Sequence, residues 1–559
     1  MPDSRLVPEV CHVSDDVVIR RGVVLAVVAV LLFAWVFLYR FNTLGGALGG
    51  FDNDHFLYMT IAKQVQAGEQ PLRDFMDGVH GAWPSLTYEF SAAAQRLLGN
   101  NLRSEAWLTV GGVALGATAT FLAASLIAPW PWALSTAVVS ALLSPKLYGY
   151  PKVVVTAFAV LLIISYARRP IWALLVAMSI WTAAAFLFRH DYSVYCALGF
   201  GAVIVLAGDT PWHRRITRGV VYGLLTALLL APSLWWIQRY RGIGEYVRNS
   251  LEMSRNEYER TQIGWPVITP DGLSPFAIFG TDENAEAWIY YMFAGVPLAV
   301  LVLSAWKVRK PPTNPDAVAL IAVSLMTAAL WYSFLRGNLS ARFGDMAPPV
   351  AVLGAFLLFR STSGWPSRRA MFTTALAAAA FALTVLCASR TGSVVSELWT
   401  SRLLEPRDTL ARMSHISTEL AAMPQSLREA QAADRMQAAD YLHRCTRPTD
   451  RALVVGYYTD VLAFAERLFA GGRAAFVVGF YADDRYMRET IARLESQSVP
   501  IVLGGAEVDY QEFHLLGDYL HARYDHVGEV SSSEGPLRVF VRRGRVGTPS
   551  GPNGLPCFG

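Results

Sequence analysis

Gly49-Gly50-Phe51-Asp52-Asn53-Asp54-His55-Phe56 follows the first long apolar run of the chain and carries two carboxylates two residues apart. On an extended segment, alternation would point Asp52 and Asp54 to one side, where they could share a metal ion or divide acid and base work; one helical turn would separate them instead. An amphipathic helix is expected from Phe56 to Ala67, closed by Gly68, and a second from Pro84 to Leu98. Between them lie Arg73, Asp74, Asp77 and His80. The stretch reads as an active-site loop at a membrane surface, with the rest of the chain as its scaffold.

The scaffold is legible from composition. Of 559 residues, 53% are hydrophobic and 16% charged, against about 25% charged in soluble domains. Apolar runs at 22–39, 106–128, 131–145, 152–167, 170–188, 192–208, 219–237, 287–306, 316–335, 346–359 and 370–388 give a polytopic α-helical membrane protein of about 11 transmembrane helices. The run at 152–167 would reach only about 24 Å, so its ends must extend into flanking residues or the bilayer must thin. The basic residues sit in short loops rather than one stripe, and the net charge is +4, which excludes nucleic acid as a partner.

Counting Lys and Arg between the runs orients the chain. Arg20-Arg21, Arg168-Arg169, Arg214-Arg215, Lys307 with Arg309-Lys310, and Arg368-Arg369 form one alternating set, which is cytoplasmic by the positive-inside rule. Residues 1–21 are then a cytoplasmic segment, 22–389 the transmembrane domain with outer loops at 42–105 and 238–286, and the region after Ser389 lies outside. Short apolar strands at 452–456, 474–478, 500–503 and 537–541 alternate with helical patterns, so 390–546 reads as an extracytoplasmic α/β domain, and Gly/Pro-rich 547–559 as a flexible tail. The localisation expected is the cytoplasmic (inner) membrane.

Several cations break the rule. Lys146, Lys152, Arg189, Arg336 and Arg342 stand at outer span ends, either as interfacial snorkelling residues or as a set held there by something anionic, such as a lipid phosphate. Arg189-His190-Asp191 interrupts nearly forty apolar residues, and a charge deep in the bilayer costs roughly 2.5 to 3.5 kcal/mol, so it marks a span end. His55 and His80 are candidates for binding substrate hydroxyls. The five cysteines have no zinc-site spacing, and only Cys445 and Cys557 could pair outside the cell. No nucleotide-binding glycine loop, His-Glu-x-x-His or Gly-x-Ser-x-Gly occurs.

Phe51-Asp52-x-Asp54-His55-Phe56 resembles the Phe-Asp-Glu-x-His-Phe pattern of the GT-C superfamily of integral-membrane glycosyltransferases, in particular its protein O-mannosyltransferase-like and aminoarabinose-transferase-like members. Gly68-x-x-Pro71-x-Arg73-Asp74-Phe75, Phe188-Arg189-His190-Asp191-Tyr192 and Leu335-Arg336-Gly337-Asn338 before Pro348-Pro349 are similar in order and topology. The chain departs from the pattern at Asn53 and at Asn338 with Arg342. The resemblance implies inverting transfer of a sugar from a polyprenyl-phosphate carrier to an acceptor glycan, lipid or protein at the outer leaflet. It makes Asp52 the base with Asp54 its partner or substitute, Arg73, Asp74, Arg189, His190 and Asp191 the walls of the pocket, and Lys146, Lys152, Arg336 and Arg342 phosphate ligands. A divalent cation held by Asp52 and Asp54 is a variant of this scheme. A transporter or flippase, a surface-polysaccharide polymerase or ligase, and a receptor scaffold are the rival readings. Polarity gathered at one face, rather than at the bilayer midplane, favours chemistry over passage.

Overall fold

The computed structural model describes the chain apart from residues 1–14, 45–49, 52, 77–82, 144–145, 207–210, 262–263, 270–280, 309–313, 337–338, 363–367, 392–396, 400, 404, 427–432 and 559. Every apolar run named above lies on a helix. α1 (Asp15–Asn42) precedes the outer pair α2 (Asn53–Gln66) and α3 (Leu86–Leu98). The bundle continues with α4 (Leu102–Ile127), α5 (Trp130–Leu142), α6 (Tyr150–Arg168), α7 (Trp172–Phe188), α8 (His190–Leu206) and α9 (Trp212–Tyr240). An amphipathic α10 (Ile243–Thr261) then leads to α11 (Asp282–Val308), α12 (Pro315–Tyr332), α13 (Ser340–Thr362) and α14 (Arg368–Thr391).

Among the described residues, eight helices are long and apolar enough to cross a membrane, and α5, α7 and α8 are shorter apolar helices. Leu224, Leu228 and Trp235 on α9 and Leu298 and Val302 on α11 are exposed, an outward face stable only against lipid. The chain is a multi-pass membrane protein.

α4 is the hub, packed on α1, α5, α6 and α13. Its approach to α6 depends on small residues: a Cβ added to Gly116 would come 2.4 Å from a Val153 methyl carbon. Side-chain caps set two starts. Asn101 accepts from the Ser104 amide at 3.3 Å, and Asn314, just before Pro315, accepts from the Asp316 amide at 2.9 Å.

The C-terminal domain opens with α15 (Pro406–Ala422) and α16 (Ala433–Cys445). Around its four-stranded sheet stand α17 (Thr459–Ala465), α18 (Asp484–Ser496) and α19 (His514–Arg523). The strands β1 (Leu453–Val455), β2 (Ile501–Gly504), β3 (Tyr524–Ser532) and β4 (Gly535–Arg542) run in the order β1-β2-β4-β3, with β1 and β2 parallel and the other pairs antiparallel. Alternation along the strands serves two cores. Leu453, Val455, Val502 and Phe540 pack under α18 and α19, whereas Val454, Leu503, Val539 and Val541 face α16 and α17. The second core is continuous with Phe41, Phe56, Phe75 and Tyr88 of the membrane domain, so the sheet is built onto the outer helix pair.

Three expectations change. Residues 474–478 form no strand: the Phe476 amide bonds the Gly456 carbonyl at 3.0 Å, while the Phe476 ring is buried against Phe513. β3 was not anticipated, because its exposed edge face carries Asp525, Glu529 and Gly528, which mask the strand pattern. Residues 547–558 are not a loose tail. Cys557 is disulfide-bonded to Cys445, Thr548 pairs with Cys557, and the Tyr441 hydroxyl donates to the Pro556 carbonyl at 2.8 Å. A glycine-rich composition is overridden here by one covalent anchor.

The domain also grips the ends of α9 and α10. Arg241 holds Glu489 through two bonds of 2.8 Å, and Glu245 accepts from Arg485 and Tyr486 at 2.8 and 2.9 Å. Burial alone would raise Glu489, but Arg241, then Arg493 and Arg473, hold it below the usual glutamate value. Glu245 is likewise held low by Arg485 and Tyr486 against its own burial. A carboxyl with a depressed folded value contributes stability above its unfolded value and loses it as pH falls through the folded one. Protection of α10 and α18 against hydrogen exchange, relative to the intrinsic rate at each pH, is therefore expected to be high at pH 6 and to fall below the ordinary glutamate range, and Glu489→Gln should show lower protection already at pH 6. Equal protection in wild type and variant at every pH would contradict this docking.

Candidate active site

Asp54 stands in the first turn of α2, not on an extended chain, because helix begins at Asn53. Its Oδ1 accepts a hydrogen bond from the hydroxyl of Tyr457, which comes from the C-terminal domain just past β1. Gly456 makes that delivery possible: at φ +125° it turns the chain, and an added Cβ would meet the Tyr458 ring at 2.3 Å. Further along α2, Lys63 Nζ donates to the Ala463 carbonyl at 2.6 Å and Gln64 Nε2 to the Phe469 carbonyl at 3.0 Å. The C-terminal domain thus holds α2 along its length.

The opposite side of the first turn is held from within the bundle. His55 Nε2 lies 3.5 Å from Glu105 Oε2, with both side chains buried, and the His55 ring sits 4.3 Å from that of Phe51. Glu105 also accepts from Gln95 at 2.7 Å and from the Ser91 hydroxyl, so this buried carboxylate ties α2, α3 and α4 together.

One turn beyond Asp54, Tyr58 is the centre of an aromatic and cationic cluster. Its ring lies 5.9 Å from Tyr148 and 6.1 Å from Tyr88. Lys146 Nζ and Lys152 Nζ are 5.0 and 5.4 Å from the Tyr148 ring centre. Lys152, buried, is bound to Asp345 at 2.7 Å. Burial holds the Tyr58 phenol well above its ordinary value, with Arg189 pulling the other way and Asp54 and Asp345 adding to the rise. Arg189 and Arg342 act in turn on Lys152. The Tyr148 ring thus stands between Tyr58 of α2 and the two lysines Lys146 and Lys152.

Like Lys152, Arg189 and Arg342 each have a carboxylate partner. Arg189 is 2.9 Å from Asp191, where α7 gives way to α8, and Arg342 is paired with Glu257 of α10. His190 Nδ1 is 3.3 Å from the Tyr246 hydroxyl, a second link to α10. A separate apolar cavity lies between α5, α11, α13 and α14. Its volume is about 140 Å³, and Leu143, Ala347, Thr136, Leu358 and Ala377 are among the residues that line it.

Arg73 and Asp74 are not brought into this cluster. They pair with each other at 2.7 Å, and Arg73 lies 5.6 Å from the ring centre of Trp236, whose indole donates to the Pro71 carbonyl at 2.9 Å. Asp52, His80 and the Arg336 side chain lie outside the described residues. Glu105 and Tyr457 were missed. Glu105 carries only the signal of an acid set immediately before the apolar run at 106–128, and nothing local distinguishes Tyr457.

No protein-family model matches the sequence, and no curated protein matches it. Among solved structures the chain is similar to ArnT from Cupriavidus metallidurans bound to undecaprenyl phosphate, at 12% identity and a TM-score of 0.46, covering 93% of this chain and 97% of that one. It is also similar to the apo Archaeoglobus fulgidus oligosaccharyltransferase, at 12% identity and a TM-score of 0.45, covering 88% and 71%. At these scores the likeness is one of outline only.

Removal of the Glu105 carboxylate strands His55, Ser91 and Gln95 in the interior. Glu105→Ala is expected to cost about 3–5 kcal/mol, read as a fall in thermal unfolding temperature in detergent, with Glu105→Gln falling less. A Glu105→Ala variant as stable as wild type would contradict the buttress.

Proposed function

We propose that the chain is an inverting glycosyltransferase that takes a sugar from a polyprenyl-phosphate carrier at the outer face of the membrane. The observation that carries this reading is the contact of Tyr58, one turn from Asp54, with the Tyr148 ring on which Lys146 and Lys152 both lie, in a protein that also holds an apolar cavity among its membrane helices. A donor of this kind needs both halves: cations for a phosphate and an apolar channel for an isoprenoid tail. The ArnT structure that the chain is similar to in outline is bound to undecaprenyl phosphate, a lipid phosphate of this chemistry.

The acceptor hydroxyl attacks the anomeric carbon from the side opposite the phosphate. Asp52 is the proposed base, with Asp54 as its partner or substitute; the carboxylate takes the hydroxyl proton as the new C–O bond forms. The bond from the anomeric carbon to the phosphate oxygen breaks, and the lipid phosphate departs carrying the electron pair. Lys152, Arg189 and Arg342, with Lys146 and Arg336 as further candidates, stabilise that charge, exchanging a resident carboxylate for a phosphate oxygen. Tyr457 holds the Asp54 carboxylate in place through its hydrogen bond. If a divalent cation takes part, Asp52 and Asp54 would hold it; among the described residues no group of three His, Cys, Asp or Glu side chains forms a metal cluster.

The Cys445–Cys557 disulfide supports an oxidising, extracytoplasmic side for the C-terminal domain, in keeping with the loop charges. Arg73, Asp74, His80, His190 and Asp191 are proposed to shape the surroundings of the site.

Purified protein incubated with a panel of polyprenyl-phosphate sugars and hydroxylated acceptors is expected to release the free lipid phosphate. Asp52→Asn and Asp54→Asn should both fold, and at least one should lose transfer by about 10²–10⁴-fold. Full activity in both would end the assignment.

A further inference from the structure

A second cavity lies away from the cation cluster, between α10 and the C-terminal domain. Its volume is about 360 Å³, within the range of small-molecule sites. We infer that it is a binding site for a neutral or amine-bearing saccharide, the acceptor glycan of the transfer reaction. The role as acceptor site rests on the transferase reading above; the saccharide chemistry rests on the cavity itself.

The walls supply what a sugar ring needs. A pyranose offers a patch of C–H bonds on its face and hydroxyls around its rim. Phe480, Tyr481 and Tyr486 present aromatic surface, whose negative faces attract polarised C–H groups. Asn249 and Asn256 on α10 each spend an amide N–H on the opposite wall, bonding the Tyr486 hydroxyl and the Gly479 carbonyl, which leaves their side-chain carbonyl oxygens to accept from ligand hydroxyls. Glu252, Asp483 and Glu512 add carboxylate acceptors, and no Lys, Arg or His is among the described lining residues. Glu252 pairs with Arg248 at 3.8 Å, but with carboxylates and no cation on the described lining an anionic ligand would still meet like charge at the cavity wall, whereas an amine would be favoured.

The cavity is built, not a chance gap. Gly479, at φ +78°, lets the loop close on Asn256, where a Cβ would come 2.9 Å from the Asn256 Cβ. Glu512 bonds the Gly479 amide at 2.9 Å. Beneath the aromatic wall, the buried Arg473 guanidinium bonds Thr490 at 3.0 Å and donates to the carbonyls of Phe480 and Tyr481.

Its position suits an acceptor. Asn249 and Asn256 are seven residues apart on one helix face, a span of about 10 Å, enough for about two sugar rings. The adjacent stripe of the same helix carries Tyr246 and Glu257, which bind His190 and Arg342. A glycan held on one stripe is thus beside the groups that the other stripe touches.

The test is titration calorimetry on the full chain in nanodiscs with three probes: chitosan trisaccharide, chitotriose and trigalacturonate. The first two are expected to bind, the amine-bearing one more tightly, and trigalacturonate not to bind. Tyr481→Ala and Glu252→Gln, the latter at an exposed helix position where refolding is not at risk, should each weaken binding by about tenfold. No binding of either chitosan trisaccharide or chitotriose, equal binding of trigalacturonate, or unaltered affinity in both cavity variants would overturn the inference. Saccharide binding with no transfer would count against the transferase reading alone, and transfer with no saccharide binding against the cavity alone.

Discussion

The fixing of the first turn of α2 from two sides is the constraint on which the rest depends. From the bundle, Glu105 holds His55; from the C-terminal domain, Tyr457 holds Asp54. Neither grip would suffice alone, since a helix of fourteen residues at a membrane surface is marginal without tertiary packing. The shared core of Phe56, Phe464 and Leu503 explains why the domain after the last membrane helix is part of the site's construction. It buries apolar surface of α2 that would otherwise face water, and in doing so carries Tyr457 to the carboxylate.

Charge at the outer border follows a related logic. Lys152, Arg189 and Arg342 are costly to bring to the edge of a bilayer unpaired, and each is neutralised by Asp345, Asp191 or Glu257. These pairs leave none of the three charges bare, and on the proposed reading they are the charges a lipid phosphate would meet. A phosphate that replaces a carboxylate changes the partner without leaving a cation bare. Two of the links, Glu257 to Arg342 and Tyr246 to His190, belong to α10, so this one helix joins the cation cluster to the polar cavity on its other stripe.

Much of this was legible in the sequence, for identifiable reasons. Apolar length alone marks the helices, because lipid demands internally satisfied backbone over a fixed thickness. Lys152, Arg189 and Arg342 stand out because the orientation expected from the loop charges puts them at span ends where Lys and Arg are disfavoured. What stayed hidden needed tertiary structure. The partnership of Tyr457 with Asp54 joins residues some four hundred positions apart, and the pairing of Arg73 with Asp74 is local, so the same charged look served a turn and not the cluster. Composition misled at the C-terminus, where Gly and Pro suggest looseness but Cys557 anchors the segment to α16.

The most direct measurement is an electron cryomicroscopy map of the chain in nanodiscs with undecaprenyl phosphate. The expected result is phosphate density among Lys152, Arg189 and Arg342, on the Tyr58 side of α2, with isoprenoid density running between α5 and α13. Phosphate density elsewhere on the protein, or a tail lodged in a different groove with these three cations still bound to their carboxylates, would contradict the account.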